Sequence, residues 1–158
     1  MNLYIFKKYM LLSFNSIRDG LKSLEKDTNS NWGKMNSNLM LIHCNNFIDV
    51  SMGRKKVSFF TRTMGRIFGK VYLKYFEYIK FDIKKYPKNS KTLNEFIPTQ
   101  SEKSFIDNKN ILINNLHKVE KMNSKKFKHS IYGIIETEFF QKLVRFHTSY
   151  HLYQFGIV

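Results

Sequence analysis

The stretch RFHTSYHLYQFG, residues 145–156, sets His147 and His151 four positions apart among aromatic and aliphatic side chains. Four residues is slightly more than one helical turn, so on an α-helix the two imidazoles stack on one face and aim at a common point. A divalent metal is the object that most often calls for such a pair, and two imidazoles seldom hold one alone. A third candidate ligand is His43, within NWGKMNSNLMLIHCNNFIDVSMG (residues 31–53), on the apolar stripe of an earlier helical segment. Facing helices of a bundle bring such side chains together in the core. Three neutral imidazoles leave the ion its full charge and an open position, where a water is acidified toward neutrality or a thiol is held as thiolate.

Four helical segments must position these residues. The spacing of Phe14, Ile17, Leu21 and Leu24 predicts a helix over about 13–27. A second begins at Asn36 or Ser37, either of which can cap it, runs through Leu39, Met40, His43, Phe47 and Val50, and stops at Gly53. The third is announced by the capping-box spacing of Thr99 and Glu102; it buries Phe105, Leu112, Leu116 and Val119 and ends near Asn123. The fourth follows Thr137 as N-cap, carries Phe140, Leu143, Val144, His147, Tyr150, His151 and Gln154 on one side, and stops at Gly156. Between the second and third lies a long insertion, helical over about 59–80 and then a polar loop, which makes a crossover rather than a tight hairpin. Within it GRIFG, residues 65–69, has GxxxG spacing, a signal with little content in a charged context.

The 158 residues, 42% hydrophobic and 16% aromatic, suffice for one domain with a real core. No run of 18 apolar residues occurs, and MNLYIFKKYMLLSF is broken by Lys7 and Lys8 with no cleavage-site pattern after it, so the expectation is a cytoplasmic protein without membrane association. A net charge of +15 points at first to nucleic acid. The excess is mostly lysine, however, alongside abundant Asn, Ile, Phe and Tyr and no alanine, a joint bias that AT-rich coding produces by itself. Nucleic acid is therefore not the expected partner. The basic, aromatic stretch from Arg54 to Lys91 reads either as a single-strand binder or as an amphipathic helix with its cations in solvent, and the second reading is preferred.

WGKM at 32–35, MLIHC at 40–44, HSIYG at 129–133 and HTSYHLYQFG at 147–156 together resemble the DinB-like superfamily, in a branch known only as a domain of unknown function. The resemblance runs from the first helix to the C-terminus. It implies an all-α fold, a DinB-like four-helix bundle with a crossover insertion between helices 2 and 3, in one domain over 1–158 with its core at about 13–156. It also implies a divalent metal (Zn, Ni or Fe) on His43, His147 and His151, and a small-molecule substrate, with a low-molecular-weight thiol as one candidate. The activity implied is that of a metal-dependent thiol S-transferase or hydrolase. Relatives often have Pro where this chain has Ser130, and an acidic residue where it has Ser149.

The competing reading is a non-catalytic bundle or basic binding module that keeps the histidines as core residues. Asn46, Tyr150 and Gln154 are candidates for the cavity wall or for supporting the ligands; His129 either lines the cavity or caps a turn. His117 is expected at the surface, and Cys44, about 100° round the helix from His43, as a buried small hydrophobe. Trp32 is expected to pack on the start of helix 2. Exposed aromatic faces make a homodimer an expectation as well.

Overall fold

The structure, a computed structural model, describes residues 11–99 and 103–158. Ser13 accepts a hydrogen bond from the Ser16 amide and opens α1 (Phe14–Ser23), whose Phe14, Ile17 and Leu21 are buried as their spacing predicts. The helix stops short of the expected end because Leu24 turns extended, which carries its side chain fully into the core. Asn36, rather than Ser37, caps α2 (Ser37–Ser51) by accepting from the Leu39 amide. Gly53 ends that segment at φ +74°, a conformation that a β-carbon disfavours.

Twelve of the fifteen residues of α2 are buried, so it is a central helix and not one with a single apolar stripe. Its buried polar groups must then find partners inside the protein. Asn45 donates to the Asn108 carbonyl and accepts from the Asn115 side chain, both at 3.0 Å, and Asn115 accepts in turn from Arg54. Asn45→Ala removes the acceptor of a buried amide and should lower the unfolding free energy by about 1–3 kcal/mol. Urea denaturation measures this, and a change below about 0.5 kcal/mol, the range of ordinary surface substitutions, would mean that the ladder carries no net stability.

α3 (Phe59–Tyr78) forms within the insertion, capped by Ser58. A β-carbon on Gly65 would clash with the Ile131 side chain and come within 2.9 Å of the Ile131 carbonyl; one on Gly69 would meet Tyr132 Cδ1 at 2.8 Å. The GRIFG spacing therefore serves a close approach of helix to turn. Apart from Gly69 and Phe76 the helix buries little: Ile67 and Val71 are exposed on its outer face, and Phe60 and Phe68, also largely exposed, edge a cavity. A loop and a 3₁₀ turn (Asn94–Phe96) follow.

α4 (Phe105–Glu120) starts later than expected: its capping box is Ser104 with Asp107, and the Glu102 of the expected box lies outside the described residues. Leu112, Leu116 and Val119 are buried as predicted. The helical expectation holds in the main, with one addition: β1 (Lys126–His129) and β2 (Gly133–Glu136) form an antiparallel hairpin that pairs Phe127 with Ile135 and His129 with Gly133. Four-residue strands are too short to show a period against flanking helices. Among the described residues the protein is thus mainly helical with one small sheet. α5 (Thr137–Gln154) begins after Glu136, which makes no side-chain cap, and Thr137 is its first residue rather than its N-cap. Gly156 stops the chain at φ +69°.

α1 packs on α4 and α5, while α2 lies against α4, α5 and the 3₁₀ turn. Trp32 packs on α5: its ring meets Tyr150 and Tyr153 edge-on, at 6.1 and 5.2 Å. Among the described residues no helix is long and apolar enough to cross a membrane.

Candidate metal centre

α2 and α5 bring His43, His147 and His151 together, with one nitrogen of each ring within 4.8 Å of the other two. The Nε2 atoms of His43 and His147 are 3.1 Å apart. Two of the rings are held from behind. His43 Nδ1 donates to the Phe96 carbonyl at 2.8 Å, and His151 Nδ1 donates to Gln154 Oε1 at 2.8 Å. A proton fixed on Nδ1 leaves the lone pair on Nε2, which is how ligand imidazoles are set for a metal. His147 is held by stacking instead, its ring 4.1 Å from Phe47 and nearly parallel to it.

Burial keeps all three rings in the neutral form that binds metal. It lowers the His43 pKa against the raising effect of the Phe96 hydrogen bond. His147 is pushed well below the usual value by burial, then by His151 and His43. Burial, then His43, brings His151 down to about 3 although Gln154 opposes the shift.

The arrangement fits a divalent ion. In a tetrahedral site with metal–nitrogen bonds of about 2.0–2.1 Å, neighbouring nitrogens are separated by about 3.3 Å, close to the 3.1 Å between His43 and His147. Two lone pairs facing at that distance repel unless a cation or a proton sits between them. If the proton is on His147 Nε2, its Nδ1 becomes a buried acceptor without a partner. His147 alone of the three also lines a cavity of about 410 Å³, so a molecule in that space meets the centre from the His147 side.

No protein-family model, curated protein or solved structure matches this chain. The site therefore rests on its own geometry, and the other expected residues divide on that basis.

Gln154 supports a ligand directly and donates its other end to the Trp32 carbonyl at 2.6 Å, which holds the amide in place. Tyr150 lies beside the His151 ring, 5.4 Å between centroids, but its hydroxyl donates to the Pro87 carbonyl. Asn46 is buried, donates to the Ile97 carbonyl and accepts from Lys55; it does not line the cavity. His129 caps a turn: its Nδ1 accepts from the amides of Ile131 and Tyr132 at 3.1 and 3.3 Å, and the ring lies outside both triad and cavity. Cys44 is buried and its thiol pKa raised by that burial, which suits a small hydrophobe. His117 is exposed beside Glu120. Sequence reasoning missed the Phe96 carbonyl, 53 residues from His43, because any residue type supplies a carbonyl and nothing in the sequence marks it.

Proposed function

We propose that this protein is a divalent-metal protein of the DinB-like type, in which α1, α2, α4 and α5 form the four-helix bundle and α3 belongs to the crossover insertion. The observation that carries the reading is the convergence of three neutral imidazoles, His43 and His151 buried with Nδ1 engaged and His147 half-buried at the edge of a cavity. His43, His147 and His151 would hold Zn, Ni or Fe. The ion supplies Lewis acidity to an oxygen or sulfur ligand at the open position. The chain's own contribution is to hold the ligands, exclude bulk water and admit a small molecule along His147. This favours transfer of a low-molecular-weight thiol, or hydrolysis, over a purely structural role.

Untagged protein should take up about one Zn²⁺ or Ni²⁺ per chain, with the metal content read by elemental analysis. Because α2 and α5 are joined by the ion, free metal at a hundredfold excess over Kd should stabilise the fold by about 2.7 kcal/mol. A chelator should accordingly lower the melting temperature at pH 7.5 by several degrees. An unchanged melt after chelation of metal-loaded protein would mean that the histidines are core residues without a common ion.

A further inference from the structure

The cavity beside His147 is built from elements that the metal ligands do not require. One wall is α3, through Met64, Phe68 and Phe76; the loop before the 3₁₀ turn gives Tyr86 and Lys91, and the hairpin turn gives Tyr132. Gly65 and Gly69 let α3 lie against that turn, so helix and turn close the chamber together. Its volume of about 410 Å³ falls in the range of small-molecule sites.

Two features of the lining define what fits. Aromatic rings dominate, and they favour flat apolar molecules through edge and face contacts. Among the described lining residues Lys91 is the one cation and there is no carboxylate, so the chamber discriminates against positive ligands and favours one negative charge. The hydroxyls of Tyr72 and Tyr86, 3.4 Å apart, are polar groups set in the aromatic wall. Burial raises the Tyr72 pKa, and the neutral phenol can donate to an anion.

We propose that this chamber binds an aromatic monoanion, its ring system between α3 and α5 and its charge directed to Lys91. Binding as such does not depend on the ion. That the bound molecule is also the substrate rests on the metal-centre reading above, because His147 is shared between chamber and triad.

The probe for this is 8-anilinonaphthalene-1-sulfonate, an aromatic monoanion whose fluorescence rises in apolar surroundings, with neutral N-phenyl-1-naphthylamine beside it. Both are titrated into metal-free and Co²⁺-loaded protein. One saturable sulfonate site is expected in each form. Met64→Trp on α3 and Thr92→Trp on the loop before the 3₁₀ turn add bulk to the lining and should each weaken it at least tenfold. Thr92 is on an exposed loop, which keeps the test open should Met64→Trp fail to fold. Lys91→Glu should weaken the sulfonate tenfold and leave the neutral probe within twofold. Ile67→Ser with Val71→Ser alters only the outer face of α3 and should change neither.

Sulfonate binding that survives both tryptophan variants but is lost with Ile67→Ser and Val71→Ser would place the probe on the outer face and overturn the proposal. Equal losses of both probes in Lys91→Glu would overturn the anionic class. Saturable binding in metal-free protein that takes up no Co²⁺ would uphold the chamber while the metal-centre reading fails. Co²⁺ uptake with no saturable probe binding would be the reverse, and would end this proposal alone.

Discussion

His43→Ala and His151→Ala each lower the affinity for Zn²⁺ by about a hundredfold or more. The expectation follows from what lies behind the ligands: losing a residue that merely orients a ligand commonly costs roughly 10–100-fold, so losing the ligand costs at least the upper end. Two imidazoles on α5 alone cannot replace a set that spans α2 and α5. Gln154→Leu tests the orienting contribution separately. It removes the acceptor of the His151 Nδ1 proton, and its expected loss is roughly 10–100-fold. His129→Phe, outside the triad, should leave the affinity unchanged. Competition against a chromophoric chelator measures all four. Equal affinities in wild type, His43→Ala and His151→Ala would remove the centre.

The metal-free protein is also expected to lose stability steeply in mild acid. His129 and His151 have folded-state pKa values brought down to about 3, in both cases chiefly by burial. In the unfolded chain a histidine titrates near about 6.5. Between those values the unfolded state binds more protons, so the stability held above pH 6.5 is lost as the pH falls toward 3. At pH 5.5 each of the two costs about 1.4 kcal/mol, about 3 kcal/mol together, and His43 and His147 are shifted the same way. For a chain of this size that is roughly 6–12 °C in melting temperature between pH 7.5 and pH 5.5. Asp107 and Glu138, held below the usual carboxylate range by Ser104 and Lys142, stay ionised across this window and add nothing to it. Melts in excess chelator at the two pH values read the effect directly. Coincident melts would mean that the buried imidazoles are hydrated or paired in a way that restores their ordinary titration.

The helices that carry the ligands were legible because their signals are local. Asn36 caps α2, Gly53 and Gly156 take the left-handed conformations that stop the chain, and the apolar residues of α5 recur at helical spacing. The start of α4 was misread for a local reason too. The stretch from Thr99 to Asp107 offers overlapping cap-and-acid pairs, and Ser104 with Asp107 forms the box through two reciprocal contacts. The hairpin was not legible, since KFKH and GIIE are too short to show alternation and become strands only by pairing with each other. Nearness in sequence points Trp32 toward α2, whereas its ring contacts include Lys88, Tyr150 and Tyr153, which come from distant parts of the chain.

By itself, the sequence determined that His147 and His151 share one helical face and that His43 sits on a second helix, because a period of 3.6 residues fixes relative direction along any one helix. Whether the two faces meet is a matter of packing between distant segments, and only the tertiary structure decided it. The 3.1 Å between His43 and His147 Nε2 needs α2 against α5, and the tautomer of His43 needs a backbone carbonyl brought by the 3₁₀ turn. The chamber depends still more on packing. GRIFG is a weak motif as a string, and it acquires meaning where Ile131 and Tyr132 fill the space that β-carbons at residues 65 and 69 would occupy. Directions along one helix follow from backbone geometry, whereas distances between helices follow from which surfaces exclude water together, and that is a property of the whole chain.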